Sequence, residues 1–66
     1  MKVTVTYLKF FGNKDSVTTE ELYFIDTIEA DPLYLDFRFS HGESVRVRQA
    51  HLISLKIEKD PEVIIL

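Results

Sequence analysis

The chain has 66 residues, 45% of them apolar, no cysteine and a net charge of −3. That length gives a single domain, residues 1–66, with a small core, because a chain of this size buries only about 60% of the surface it exposes when unfolded. The composition excludes a disordered chain and a disulfide or thiolate-metal framework, and no apolar run reaches the roughly 18 residues of a membrane span. With no signal-peptide pattern after Met1, the expectation is a cytoplasmic protein without a membrane partner.

Residues 1–11 read as the first strand. Val3, Val5 and Tyr7 alternate with Lys2, Thr4 and Thr6, and the apolar parity then flips to Leu8 and Phe10, which predicts a bulge or a strand bending between two sheets. Gly12-Asn13-Lys14-Asp15 supplies turn residues that tolerate left-handed backbone, so a hairpin follows. Residues 16–30 admit two readings. Thr18 and Glu21 have the spacing of a helical capping box, whereas Val17, Thr18, Thr19, Tyr23, Phe24, Ile25, Thr27 and Ile28 are strand formers. Leu22 to Ile25 is apolar on both faces, so a long bent strand crossing from sheet to sheet is favoured over a helical turn.

Ala30-Asp31-Pro32 is a turn, since proline forces extended geometry on the residue before it and cannot join a central ladder. Residues 33–40 alternate cleanly, with Leu33, Leu35, Phe37 and Phe39 on the expected core face, and residues 44–49 resume with Val45 and Val47. Side chains directly opposite in an antiparallel pair share a face. A three-residue loop over His41, Gly42 and Glu43 satisfies this, setting Phe39 opposite Val45, Phe37 opposite Val47, Asp36 opposite Arg48 and Arg38 opposite Arg46. Gln49-Ala50-His51-Leu52 then makes a tight turn of 3₁₀ type. Residues 53–58 form a strand with Ile53, Leu55 and Ile57 inward, Asp60-Pro61 breaks it, and residues 62–66 end the sequence as a short apolar strand. The fold class is all-β and mainly antiparallel: a small barrel of five to six strands, with room for one short helical turn.

Asp31-Pro32-Leu33 and His51-Leu52-Ile53-Ser54 carry a resemblance. Residues 29–57 resemble the second half of the Sm-like proteins, in which an Asp-x-apolar step opens one strand and a short histidine-containing turn precedes an Ile-Ser strand. SH3-like barrels share the same strand order and tight turn. The resemblance implies the barrel shape and no functional residue. Residues 22–28 lack the Sm glycine, Tyr34-Leu35 stands where the Sm base-binding residue would be, and a strand replaces the Sm N-terminal helix.

Charge is unevenly spread. Residues 15–36 carry seven acids and no base, a local charge of −7, whereas residues 37–56 carry four bases against Glu43 alone, a local charge of +3. Complementarity between strands is the favoured reading of this polarity, with the orienting of a partner or attraction between two copies as the alternatives. Arg38, Arg46, Arg48 and Lys56, joined by Tyr34, are the candidate site for an anion or nucleic acid, Tyr34 offering a ring for stacking. Two like charges placed opposite each other, as Arg38 and Arg46 would be, invite an anion between them. The acidic stretch could instead mimic nucleic acid toward a basic partner protein.

The chemistry classes that need a built pocket find little support. His41 and His51 have no metal-ligand spacing, so no metal and no cofactor are expected. Ser40-His41-Gly42-Glu43-Ser44 holds nucleophile, base and acid types on one short loop, where neighbours rarely converge on one atom, so no enzyme and no small-molecule substrate are expected. Phe10, Phe11, Tyr23 and Phe24 are read mostly as core. The leading expectation is a non-enzymatic interaction module, a homo-oligomer that also binds another protein. Its candidate oligomer edge is Val63, Ile64, Ile65 and Leu66, because an uncovered apolar edge strand would otherwise aggregate. The alternative is an Sm-like nucleic-acid binder using the basic strand face.

Overall fold

A computed structural model describes residues 1–12 and 14–61, with only the backbone described at Phe11. The order of elements is β1 (Lys2–Phe11), β2 (Lys14–Leu22), β3 (Ile25–Ala30), β4 (Tyr34–Phe39), β5 (Ser44–Arg48), a 3₁₀ turn (Gln49–His51) and β6 (Leu52–Glu58). All strand pairs are antiparallel, and they form two three-stranded sheets, β2-β1-β6 and β3-β4-β5. The helical alternative for residues 18–24 loses to the β-branched run there, as favoured. No helix among the described residues is long and apolar enough to cross a membrane.

β2 and β3 are one bent strand passing between the sheets. Along β1 the partner numbers descend without a break from Val3↔Leu22 to Phe11↔Lys14. Continued by two residues, that register would set Met1 opposite Phe24. Met1 instead exchanges both backbone bonds with Ile25, its N donating to the Ile25 carbonyl at 2.7 Å and the Ile25 N to the Met1 carbonyl at 2.8 Å. One extra residue has been inserted, and Phe24 takes the left-handed conformation at φ 59°. A bulky residue held there needs support on both sides. The Asp60 carboxylate accepts the Phe24 N–H at 2.9 Å, and the Phe24 carbonyl accepts the Ser40 N–H at 3.0 Å.

Asp60 holds the ends of this corner together. Its second oxygen accepts from the Met1 ammonium at 2.9 Å, so one carboxylate joins the start of β1, the bulge and the chain leaving β6. The ammonium first, and then the Phe24 N–H, hold the Asp60 carboxyl below its ordinary value of 3.8. A carboxyl whose pKa is lowered on folding stabilises the fold above its unfolded value and ceases to do so as pH falls through the folded one. Asp60→Asn is therefore expected to lower the melting temperature at neutral pH, by on the order of 5 °C for a domain this small. The gap from the parent should close as acid titrates the parent's own Asp60 below 3.8. Acid melts in which the gap persists undiminished would show that the carboxylate is not the stabilising group.

The core lies between the sheets. Val3, Val5, Leu22, Ile25, Phe37 and Val47 are buried, and Met1, Tyr7, Ile28, Leu35, Phe39, Val45 and Leu52 pack around them half-buried. The turn into β4 is made by Asp31, whose Oδ1 accepts the N–H groups of Leu33 and Tyr34, both at 2.7 Å. Gln49 ties that turn to the 3₁₀ turn by donating its backbone N–H to the Leu33 carbonyl and its side chain to the Asp31 carbonyl.

The structure corrects five expectations. The sheets meet at the Met1–Ile25 corner but do not close into a barrel, since among the described residues β6 pairs only with β1 and β5 only with β4. The β4–β5 loop has three residues, but they are Ser40, His41 and Gly42. Phe39 pairs with Glu43, Phe37 with Val45 and Leu35 with Val47, and Gly42 takes φ 100° at the third loop position. Leu33 lies outside the strand and is exposed. Phe10, Tyr23 and Phe24 are also exposed rather than core, and the Phe11 side chain lies outside the described residues. Along β1 the parity flip brings no break against β2; the irregularity is on the β6 side, between Thr6 and Tyr7, where Ile53 is the extra residue.

Candidate interaction surface

Register decides what the outer face of the second sheet presents. Glu29 lies opposite Asp36, Asp36 opposite Arg46, Thr27 opposite Arg38, Arg38 opposite Ser44 and Tyr34 opposite Arg48. Tyr34, Arg38, Arg46 and Arg48 thus share a face, as the alternation implies. The Arg38–Arg46 opposition, however, is replaced by an acid–base pair. Arg46 forks onto Asp36, with Nε to Oδ1 at 2.7 Å and an outer nitrogen to Oδ2 at 3.2 Å, and its guanidinium lies 4.9 Å from the Tyr34 ring centre. The hydrogen bond from Arg46 holds the Asp36 carboxyl below its ordinary range, and the same bond raises Arg46. Arg38 stands 3.7 Å from Glu29 across exposed surface, a pair of little energetic weight.

Lys56 belongs elsewhere. It lies on β6 opposite Thr4, on the outer face of the first sheet, and pairs with Glu58 at 3.3 Å. The five candidate residues therefore do not form one basic face. An anion arriving at Arg46 would have to displace a two-pronged carboxylate, which leaves Arg48 as the arginine of this face without an ion-pair partner among the described residues.

The acidic stretch is largely spent inside the molecule. Glu20 accepts from the Tyr7 hydroxyl at 3.0 Å, Glu21 from the Tyr23 hydroxyl at 2.8 Å, and Glu21 also lies 3.7 Å from Lys2. Burial first, and then the Glu20 bond, push the Tyr7 phenol up, whereas for Tyr23 the Glu21 bond is the main cause. With Glu29, Asp31 and Asp36 engaged as described, the charge polarity of the sequence acts between strands. The two histidines sit on separate turns against aromatic rings: His41 stacks on Phe39 at 5.1 Å between ring centres, and His51 meets Phe10 edge-on at 4.6 Å. Neither is drawn toward the other, and no cluster of metal-ligating side chains occurs among the described residues.

The surface that stands out is β6. Among the described residues it is the edge strand of its sheet, bonded to β1 on one side only. Leu55 lies opposite Val5 and Ile57 opposite Val3, so both share the core face of β1, as the alternation predicts. Yet Val3 and Val5 are fully covered while Leu55 is 37% and Ile57 55% exposed, and the bulged Ile53 is 52% exposed. The second sheet covers the middle of the first and leaves its β6 margin open. Sequence reasoning assigned these three residues to the core and missed them as a surface. The remaining candidates, Val63, Ile64, Ile65 and Leu66, lie outside the described residues.

No family model matches the chain, and neither a curated protein nor a solved structure gives a significant match.

Proposed function

We propose that this chain is a non-enzymatic, small all-β interaction module that self-associates by pairing its β6 edge, and that other protein partners are met in the same way. The observation carrying this reading is that β6, paired on one side only among the described residues, carries three exposed large apolar side chains, Ile53, Leu55 and Ile57. Natural sheets guard such edges with charge, proline, bulges or covering elements; β6 carries Lys56, Glu58 and the Ile53 bulge, yet its large apolar side chains stay exposed, which leaves it a template for another strand. Among the described residues the other three edges expose fewer large apolar side chains, Val17 on β2 and none on β3 or β5. The order of elements, with a bent strand passing between two sheets and a 3₁₀ turn before the last strand, supports the SH3-like and Sm-like likeness.

Light scattering at low and physiological salt tests the proposal. The parent chain is expected to have the mass of two or more copies. Leu55→Lys combined with Ile57→Lys should bring the mass down to that of one chain while the far-ultraviolet circular dichroism stays unchanged, because both side chains are already partly in water. A parent chain that is monomeric at both salts would sink the proposal.

A further inference from the structure

Resting on self-association through β6, we infer a second contact between copies: the outer face of the β1–β2 hairpin end packs on the same face of another copy. The patch is built by register. Leu8 lies opposite Val17 and Phe10 opposite Asp15, and side chains directly opposite share a face. By the alternation of β1 that face points away from the one on which Val3, Val5 and Tyr7 meet the core. Phe10 is 50% and Val17 65% exposed there, and Leu8 beside them is half-buried. β6 pairs with β1 as far as Tyr7, and just beyond that point the His51 ring meets Phe10 edge-on at 4.6 Å. Phe10 therefore stands between an acid on the β2 side and an imidazole on the β6 side.

This patch is remote from the corner where the chain leaves β6. Asp60 is bonded to the Met1 ammonium, at the other end of β1 from Phe10, about nine residues or roughly 30 Å away. Residues 61–66 span at most about 20 Å when fully extended, so they do not reach Phe10. The flanking groups choose the occupant. A two-fold axis laid along β1 over Phe10 sets β2 of one copy against the β6 side of the other, as in two aligned sheets stacked face to face. Phe10 then meets its own counterpart, and Asp15 and Val17 meet the His51 side, where the carboxylate finds an imidazole. The axis repeats that pairing, so it is made twice. The formal charge of the patch is an acid, which the phosphates of an anionic lipid surface would repel. A stable interface takes about 20–30 residues a side, far more than Leu8, Phe10, Asp15, Val17 and His51 provide. The contact therefore does not hold free chains together. It acts between copies already joined at β6, where the effective concentration is high.

The sequence holds no cysteine, so one engineered thiol reports contacts between copies without background. Full-length Phe10→Cys is oxidised at a concentration where light scattering shows the oligomer, beside full-length Asp26→Cys, an exposed control on β3. The expected result is a linked pair of Phe10→Cys chains forming several-fold faster than the control pair. Equal rates in an oligomeric protein overturn this inference and leave self-association through β6 standing. A monomeric parent overturns both. Charge exchange gives an independent reading. Asp15→Lys is expected to lower the mass in light scattering to a smaller assembly that still exceeds one chain, and Asp15→Lys with His51→Glu to restore it. A mass unmoved by Asp15→Lys, or not restored by the second change, overturns the inference.

Discussion

Replacing Phe37 with alanine should unfold most of the population or bring it close to the midpoint of unfolding at room temperature. Phe37 is fully buried and is the largest of the fully buried side chains, placed on the central strand of the second sheet and facing the first. Truncating a buried phenylalanine to alanine costs about 3–5 kcal/mol, from lost transfer free energy and from the cavity left behind. A domain of this length has a total stability of about 3–10 kcal/mol. One side chain therefore carries a large share of the whole, because among the described residues the core offers only five others that are buried to spread the loss over. Urea unfolding followed by circular dichroism provides the measurement, and Phe37→Leu, expected to cost less than about 1.5 kcal/mol, keeps the site measurable if the alanine variant does not fold. A loss near zero for Phe37→Ala would mean that the two sheets do not pack through this residue.

The second large effect is expected at Gly42. Its φ of 100° lies beyond the left-handed well that other residues tolerate, and a Cβ there would meet nothing within 4 Å. Any cost of substitution is thus a backbone cost. Gly42→Val should destabilise by about 1–3 kcal/mol, the usual range for a residue forced into a sparsely populated conformation. That corresponds to a melting temperature lower by on the order of 10 °C. Gly12 is the control: at φ 60° it sits in the left-handed well that asparagine accepts, so Gly12→Asn should change stability little. Equal thermal shifts at the two glycines would overturn the argument from backbone conformation.

Gly42 also explains where the sequence reading of the hairpin went astray. Pairing Phe39 with Val45 and pairing Phe37 with Val45 keep the same side chains on the core face, because the two registers differ by two residues and preserve parity. Burial alone cannot choose between them. The choice falls to the turn, in which a three-residue loop places its left-handed residue last, and glycine is the residue in Ser40-His41-Gly42 that adopts φ 100° freely. Correcting the register removed the facing arginines and put Asp36 against Arg46, and with them went the strongest motive for an anion site. Period-2 alternation placed Tyr34, Arg38, Arg46 and Arg48 on one face correctly. It could not reveal that Lys56 belongs to the other sheet, because alternation fixes a side chain's face and says nothing about strand neighbours.

The same limit accounts for Ile53, Leu55 and Ile57. Their spacing tells which way Leu55 and Ile57 point, and both do share a face with Val3 and Val5. Whether another layer covers that face depends on where β3, β4 and β5 fold back, which no local pattern encodes. Asp60 left no trace in the sequence beyond a strand-breaking Asp-Pro, since its partners Met1 and Phe24 lie 59 and 36 positions away. The bent strand, by contrast, was legible, because Leu22 to Ile25 is apolar on both faces at the point where the chain changes sheets.

The pairing of β1 with β6 has a kinetic consequence. Lys2 meets Glu58 and Val5 meets Leu55, contacts between the two ends of the described chain, whereas β3, β4 and β5 join neighbours through short loops. Local hairpins close within microseconds, but a ladder between such distant segments must first overcome the entropy of bringing them together, and topologies dominated by such pairings fold in milliseconds to seconds. Until β6 arrives, β1 has an open edge beside Val3 and Val5. On a ribosome that interval lasts until residues 52–58 have left the exit tunnel, and until then the first sheet is only half built.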